Sequence, residues 1–184
     1  MAGRLVIIIG PSGSGKTELV KALLKEVPYS SRLITVTTRS PRIGEINGRD
    51  FHFISKEAFQ NKIDEGDFFE YAETHGHFYG CSEKILRSSL ASHNYVFAII
   101  DVKGAQVLKK HFPDALAIFV DCGSIDTIKT RLMRSRKDIS KEELDKRLAT
   151  AAFELNFMNT FDTVLPNPDG KFNEAVARLK SQLV

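Results

Sequence analysis

Short apolar runs alternate with amphipathic segments along most of this 184-residue chain. The runs Leu5 to Ile9, Val96 to Ile100 and Ala115 to Val120 hold only apolar residues, which is typical of strands covered on both faces. Helical patterns follow each run, and a further strand and helix close the chain. These later segments are Glu18 to Glu26, Val102 to His111, Ile125 to Arg136, Thr163 to Leu165 and Phe172 to Leu183. The alternation predicts an α/β fold with a parallel sheet flanked by helices.

One polar, loop-rich stretch interrupts the alternation between Leu33 and Tyr79. It contains short β-like pieces and one amphipathic segment that predicts a helix. These are Leu33 to Thr38, Phe51 to Ile54 and Phe68 to Ala72 for the strands, and Lys56 to Glu65 for the helix. We expect a small mixed α/β subdomain, inserted into the parallel core.

A second interruption is the charged segment Lys129 to Arg147, with eight Lys or Arg and four Asp or Glu. Such a run is usually the solvated face of a helix. Its arginines Arg134, Arg136 and Arg147 are also candidates for binding phosphate.

Composition narrows the class of protein. The chain is 42% hydrophobic and carries a net charge of +3, which is too small to indicate a nucleic-acid partner. Two cysteines, Cys81 and Cys122, show no metal-ligand spacing and predict a reducing compartment. The first apolar run ends at Gly10 after five residues, and no apolar run approaches the ~20 residues of a membrane span. We expect a single-domain, soluble, cytoplasmic protein without a membrane partner.

The segment from Gly10 to Thr17 reads Gly-Pro-Ser-Gly-Ser-Gly-Lys-Thr and fits G-x-x-x-x-G-K-[ST] at every fixed position. Its glycines allow backbone N–H groups to converge on phosphate oxygens at the start of a helix. Lys16 would reach the β- and γ-phosphates, and Thr17 would ligate Mg²⁺. A glycine-rich turn that binds nothing is the alternative, but the flanking strand and helix favour a nucleotide phosphate site.

Asp101 ends the apolar run Val96 to Ile100 and could hold magnesium directly or through water. It could instead, or also, cap the following helix. A GTPase is a competing interpretation, because Asp101 to Gly104 reads D-x-x-G and Asn61 to Asp64 reads N-K-x-D. Their order is the reverse of that in GTPases, and Phe59 and Ile63 predict that N-K-x-D lies on an amphipathic helix. We interpret it as a chance match.

A phosphoryl transferase whose acceptor also carries a phosphate needs arginines to hold its two anionic substrates. Planar guanidinium groups bind phosphate bidentately and stay charged, which suits a reaction between two anions. Arg39 and Arg42 lie in the predicted inserted subdomain, within Thr-Thr-Arg-Ser-Pro-Arg. Together with the arginines of the charged segment they predict a kinase acting on a phosphorylated acceptor.

From Arg4 to Val184 the chain resembles guanylate kinase, the P-loop nucleoside monophosphate kinase that makes GDP from GMP and ATP. The motifs that carry the resemblance are Gly10 to Thr17, Thr37 to Arg42, Gly44 to Gly48, Phe69 to Ala72, Phe78 to Gly80, Asp101 to Gly104, Arg131-Leu132, Lys146 to Leu148, and Phe161-Asp162 with Asn167. The resemblance implies a P-loop NTPase core at about residues 1–32, 93–124 and 150–184. It also implies a GMP-binding insertion at about 33–92 and a helical lid at about 125–149.

The resemblance also implies roles for individual residues, with ATP and GMP as substrates and Mg²⁺ as cofactor. ATP would contact Gly10, Ser12, Gly13, Ser14, Gly15, Lys16, Thr17 and Asn167. GMP would contact Thr35, Arg39, Arg42, Phe51, Glu70, Tyr79, Cys81 and Asp101. The catalytic residues would be Lys16 and the lid arginines Arg136 and Arg147.

Several positions depart from the family pattern. Phe51 replaces a tyrosine that bonds the GMP phosphate, Cys81 replaces Ser or Thr, and Ile99 replaces an acidic residue. The segment from Arg134 to Asp138 is one residue longer than usual, so the choice between Arg134 and Arg136 stays open. These departures keep open a different acceptor, either another nucleoside monophosphate or a phosphorylated sugar. A guanylate-kinase-like module that binds proteins is a further alternative, which the intact phosphate loop argues against.

Overall fold

A computed structural model describes residues 3–74, 76–136 and 138–183. Within these residues the chain forms nine strands, seven α-helices and one 3₁₀ turn. The strands are β1 (Arg4–Ile9), β2 (Ser30–Arg32), β3 (Val36–Thr37), β4 (His52–Phe53), β5 (Phe68–Thr74), β6 (His77–Ser82), β7 (Tyr95–Ile99), β8 (Leu116–Asp121) and β9 (Thr163–Pro166). The helices are α1 (Lys16–Glu26), α2 (Lys56–Asp64), α3 (Glu83–Ser92), α4 (Val102–His111), α5 (Ile125–Ser135), α6 (Lys141–Leu155) and α7 (Phe172–Ser181). The 3₁₀ turn is Met158–Thr160.

The chain divides into two compact units. The first unit contains residues 3–5, Tyr29–Ala98 and Lys103–Ala115. The second contains Val6–Pro28, Ile99–Val102 and residues 116–183. The predicted phosphate loop therefore belongs to the second unit, and the predicted acceptor residues, except Asp101, belong to the first.

Parallel strands form the centre of the second unit. β1 pairs with β8 in a register that sets Ile8 opposite Ile118, and β8 pairs with β9 so that Phe119 lies opposite Val164. From Leu5 onward the β1 residues are almost fully buried, as are the middle residues of β8. Burial on both faces explains why these strands read as continuous apolar runs, and it confirms the predicted α/β fold with a parallel sheet and helices.

A four-stranded mixed sheet, in the order β4-β3-β6-β5, lies in the first unit. β3 runs parallel to β4 and antiparallel to β6, and β2 pairs in parallel with β7 elsewhere in this unit. Helix α2 buries Phe59, whose ring stacks on Phe68 and Phe78 with centroids 4.6 and 5.5 Å away. Asn61 to Asp64 therefore lies on an amphipathic helix, as predicted. β6 and α3 were not predicted by the sequence pattern.

The charged segment folds as parts of two helices, α5 and α6. Ser140 caps α6 by accepting a 3.1 Å hydrogen bond from the N–H of Glu143, and Lys137 lies outside the described residues. The buried residues beneath the two helices are Cys122, Ile128, Leu132, Leu144 and Ala151. The segment is thus more than a solvated helix face, because both helices bury an apolar side.

Membrane-spanning character is absent from the helices that the structure describes. None of them combines the length and the apolar composition that crossing a bilayer requires.

Candidate active site

The phosphate loop joins β1 to α1 in the second unit, and its shape depends on glycine. Gly10 has φ +135°, and a Cβ there would lie 2.5 Å from the Val120 carbonyl oxygen. Gly15 has φ +96° at the N-cap of α1, where a Cβ would lie 2.5 Å from Nδ2 of Asn167. Only a residue without a side chain fits at either position. The loop therefore presents its backbone as a cradle at a helix N-terminus, which is the geometry that binds phosphate.

Lys16 folds back over this loop. Its Nζ donates a hydrogen bond to the Pro11 carbonyl at 2.9 Å and another to the Gly10 carbonyl. Burial lowers the pKa of Lys16, while Glu154 and Cys122 would act in the opposite direction in their ionised forms. Phosphate oxygens are charged and accept hydrogen bonds more strongly than these neutral carbonyls. The Lys16 ammonium group would therefore bind a nucleotide phosphate more strongly than it binds the loop carbonyls.

Asn167 and Arg131 brace the loop. Asn167 is 4% exposed, and its Nδ2 donates to the Ser14 carbonyl at 2.8 Å. The Arg131 guanidinium donates to the carbonyls of Asn167, at 2.9 Å, and Gly13, at 3.4 Å, and pairs with Asp169 at 2.7 Å. The segment after β9 is thereby fastened to the phosphate loop through two side chains.

The two predicted lid arginines share one carboxylate. Glu143 accepts from Arg147 at 2.7 Å and lies 3.7 Å from Nη1 of Arg136. Arg134 lies exposed on α5. The structure thus brings Arg136, rather than Arg134, to the carboxylate that holds Arg147.

In the first unit, Arg39 is fixed by a bidentate ion pair. Both terminal nitrogens donate to Glu45 at 2.9 Å, and Nη1 also donates to the Ser40 carbonyl at 2.7 Å. Burial acts to lower the pKa of Arg39, but hydrogen bonds to Glu45 and Tyr79 outweigh it and raise that pKa. The Glu45 carboxylate also accepts from the backbone N–H of Arg42 at 2.7 Å. One carboxylate therefore holds the Arg39 side chain and the backbone at Arg42.

The ring of Phe51 lies next to two of the predicted acceptor residues, Arg39 and Tyr79. Its ring centroid lies 6.0 Å from that of Tyr79, edge to face, and 5.4 Å from the guanidinium carbon of Arg39. Thr35 is 9% exposed in the segment leading into β3, and its carbonyl accepts from His52. Arg39 and Tyr79 thus lie against the Phe51 ring, which has no polar group.

Glu70 and Cys81 face each other across β5 and β6. Burial, and then the charge of Glu70, raise the pKa of Cys81 to about 12, so the thiol stays protonated. A Cβ at Gly104 would lie 2.9 Å from the Glu70 carboxyl carbon, so glycine is what allows that carboxylate to approach α4. Asp101 follows β7 and belongs to the second unit, where Glu154 feels its charge.

Comparisons with known proteins agree with this geometry. The guanylate kinase family model matches residues 2–184. The chain belongs to the guanylate kinase family. The guanylate kinase of Idiomarina loihiensis is 41% identical over 180 residues, covering 97% of this chain and 84% of the relative. That of Helicobacter pylori (strain 26695) is 37% identical over 181 residues, covering 98% and 87%. The crystal structure of guanylate kinase from Anaplasma phagocytophilum aligns with a TM-score of 0.76 at 25% identity, covering 99% of this chain and 85% of that one.

Two residues of this guanylate kinase family member were missed as site residues by the sequence reasoning. Arg131 lies within a motif that carried the resemblance, yet no role was given to it. Glu154 is 8% exposed on α6, and burial raises its pKa to about 7 against the opposing charge of Lys16. Glu154 follows the buried Leu144 and Ala151 on one helical face, so periodicity could have placed it inside the protein.

Magnesium is the ion that the family implies, and the second unit has donors that suit it. Thr17 lies exposed in the first turn of α1, directly after the lysine of the glycine cradle. Asp101 offers a partly exposed carboxylate in the same unit. Hydroxyl and carboxylate oxygens are the ligands that Mg²⁺ prefers, so these residues fit the ion.

Proposed function

We propose that this member of the guanylate kinase family transfers the γ-phosphoryl group of ATP to GMP in the cytoplasm, giving ADP and GDP. The observation that carries the proposal is the glycine cradle of the phosphate loop, with Lys16 folded over it at the start of α1. Relatives that bear the name guanylate kinase, at about 40% identity over nearly the whole chain, support the choice of reaction.

The donor half of the reaction uses residues of the second unit. The loop N–H groups and Lys16 bind the ATP phosphates, and Asn167 lies near the adenine. Arg136 and Arg147 leave Glu143 to bind the γ-phosphoryl group, whose charge they stabilise in the transition state. Magnesium supplies positive charge to the phosphate oxygens when bound, with Thr17 as ligand and Asp101 as a second ligand, directly or through water.

The acceptor half uses residues of the first unit together with Asp101. Arg39, Arg42 and Tyr79 bind the phosphate of GMP. The Thr35 hydroxyl reads the base, and Glu70 and Asp101 accept hydrogen bonds from the N1–H and 2-amino group of guanine, donors that adenine lacks. An oxygen of the GMP phosphate attacks the γ-phosphorus, and the bond from that phosphorus to the bridging oxygen of ADP breaks. No protein nucleophile takes part.

A coupled assay of ADP release tests the proposal with GMP, dGMP, AMP, CMP and UMP as acceptors. We expect rapid turnover with GMP and turnover at least about a hundredfold slower with AMP, CMP and UMP, since those bases lack the N1–H and 2-amino pair of donors that guanine offers to Glu70 and Asp101. Folded protein that releases no ADP with GMP would reject the assignment.

A different phosphorylated acceptor is the second candidate, favoured by Phe51 and by the buried thiol of Cys81. Neither offers the hydroxyl that the family pattern has at its position. Adding phosphorylated sugars to the same assay separates the candidates, because the second one predicts a higher kcat/KM for such an acceptor than for GMP.

A further inference from the structure

Arg32, a residue without an assigned role, lies beside the acceptor residues of the first unit. It ends β2, and its Nη2 donates a 3.1 Å hydrogen bond to the carbonyl of Asp50, next to Phe51. Its guanidinium carbon lies 5.7 Å from the centroid of the Phe51 ring. The corresponding atom of Arg39 lies 5.4 Å from the same centroid. Two guanidinium groups therefore pack on one phenylalanine.

The charge of Arg32 lacks a close anion among the described residues. Its Nε is buried without an acceptor, and no described carboxylate forms an ion pair with it. Burial lowers the pKa of Arg32, and only the more distant charges of Asp50 and Glu45 act in the opposite direction. The Asp50 carboxylate accepts from Arg49 and the Ile46 N–H, while Glu45 is held by Arg39. A partly buried guanidinium whose Nε donor is buried without an acceptor is costly unless an anion binds there.

The neighbours of Arg32 indicate which anion this is. Glu45, the carboxylate that binds Arg39 in two hydrogen bonds, is also one of the charges that Arg32 feels. Arg32, Arg39 and Tyr79 therefore surround Phe51, the position where the family pattern has a tyrosine bonded to the GMP phosphate. A phosphate bound by Arg39 and Tyr79 would lie beside the same Phe51 ring on which the Arg32 guanidinium packs.

We propose that Arg32 binds the phosphate of the acceptor as a third arginine beside Arg39 and Arg42, and thereby compensates in part for the hydroxyl group that Phe51 does not have. This inference rests on the proposed function, because it deepens the acceptor site assigned there. Arg32 is a binding residue in this scheme and takes no part in the bond-breaking step.

The test compares binding of GMP with binding of guanosine, which lacks the phosphate. Arg32→Gln should weaken GMP binding by about ten- to a hundredfold, as expected for hydrogen bonds to a charged group. Binding of guanosine and of ATP should stay unchanged. Arg32→Lys keeps the charge without the planar fork and should recover part of the loss. Arg49→Gln is the matched control, since Arg49 lies in the same segment and forms an ion pair with Asp50, but its side chain is 59% exposed. It should leave all three affinities unchanged.

A double variant tests the link to Phe51. Phe51→Tyr should improve GMP binding by a larger factor in the Arg32→Gln background than in the original chain, because the new hydroxyl then donates to a phosphate that Arg32 no longer binds. Equal gains in both backgrounds would show that the two positions act independently, and would overturn that part of the inference.

Two further results of the titrations would decide whether Arg32 binds the acceptor phosphate. GMP affinity unchanged in folded Arg32→Gln overturns the inference, and so does an equal loss for GMP and guanosine, which would mark a structural role. If the original chain does not phosphorylate GMP, the proposed function fails by itself. The titrations are then repeated with the acceptor that supports ADP release and with its dephosphorylated form, so that the role of Arg32 is still measured.

Discussion

The second unit, which contains the phosphate loop and is called the phosphate-loop unit below, has a carboxylate near a basic side chain. So does the first unit, which contains Arg39 and is called the acceptor unit. The pKa values of the two carboxylates nevertheless move in opposite directions. In the acceptor unit, burial acts to raise the pKa of Glu45, but hydrogen bonds from Arg39 and the Arg42 N–H outweigh it and lower that pKa. In the phosphate-loop unit, burial raises the pKa of Glu154 to about 7, although Lys16 acts against it. Glu45 has bidentate hydrogen bonds, whereas Glu154 forms no side-chain hydrogen bond with a described residue.

The difference teaches that a nearby positive charge alone does not keep a buried carboxylate ionised. Direct hydrogen bonds compensate for reduced hydration at Glu45, while the charge of Lys16 at Glu154 does not. The Arg39–Glu45 pair of the first unit is therefore held in a fixed, ionised arrangement. The phosphate-loop unit instead holds a lysine whose best partner would be the phosphate of a nucleotide.

Removing Lys16 should have the largest effect of the substitutions considered, because it takes the basic side chain out of the phosphate-loop unit. Lys16→Ala should lower kcat by at least about a hundredfold, because it removes a charge aimed at the transferring phosphoryl group. The measurement is steady-state ADP release with saturating ATP and GMP. The fold should be retained, since Nζ contacts only loop carbonyls by hydrogen bonds. Lys21→Ala on the exposed side of the same helix is the control and should keep full activity. A folded Lys16→Ala protein with more than about a tenth of the original kcat would contradict the mechanism.

Glu154→Gln tests the uncompensated carboxylate. Its pKa in the folded protein, about 7, lies above the ordinary value of 4.5, so the folded state binds more protons between these pH values. The stability from this group is therefore fully present below pH 4.5 and is lost as the pH rises through 7. A shift of this size corresponds to about 3 kcal/mol. The difference in free energy of unfolding between Glu154→Gln and the original chain should move by about this amount, in favour of the variant, from about pH 4 to about pH 8.

Urea unfolding across this pH range measures the effect. Glu142→Gln, on the same helix but at an exposed position paired with Lys146, is the control and should show a far smaller pH dependence. Parallel stability curves for Glu154→Gln and the original chain would show that Glu154 is ionised in the folded state, and would remove the contrast with Glu45.

Lys16, Glu154 and Arg32 show which parts of the site can be predicted from the sequence. The glycine loop, the parallel strands and Lys16 could be predicted because each follows from local spacing. For Glu154 the residue type misleads, because a glutamate in a charged helix is normally solvated, although its position on the face of Leu144 and Ala151 does mark it as buried. Arg32 gave no signal at all, since its contact with Phe51 joins residues far apart in the sequence. A contact of this kind depends on the tertiary fold, and local patterns do not encode it.

Arg39→Ala removes the cation from the compensated pair and should act on one substrate only. Without its charge-assisted hydrogen bonds, GMP binding should weaken by about ten- to a hundredfold while ATP binding stays within about twofold. Calorimetric titration with each nucleotide measures both affinities. Arg87→Ala is the control, because Arg87 lies 60% exposed on α3 of the same unit. Equal losses for both nucleotides would indicate a general structural effect and contradict the assignment of Arg39 to the acceptor.

The smallest expected effect comes from restoring a hydroxyl at Phe51. Phe51→Tyr should lower the KM for GMP by about tenfold, the lower end of the range for one hydrogen bond to a charged group, and leave the KM for ATP unchanged. Phe53→Tyr is the matched control, since the Phe53 ring lies 5.7 Å from that of Phe51 and 5.6 Å from the Arg39 guanidinium carbon, outside the position where the family has its tyrosine. Cys81→Ser should add little, because that side chain is fully buried and a serine hydroxyl would need a partner there. A gain for Phe51→Tyr but not Phe53→Tyr would show that the acceptor unit has an arrangement ready for the phosphate of GMP and lacks one polar group. An unchanged or higher KM for GMP, together with reduced activity toward another phosphorylated acceptor, would instead show that Phe51 is adapted to that acceptor.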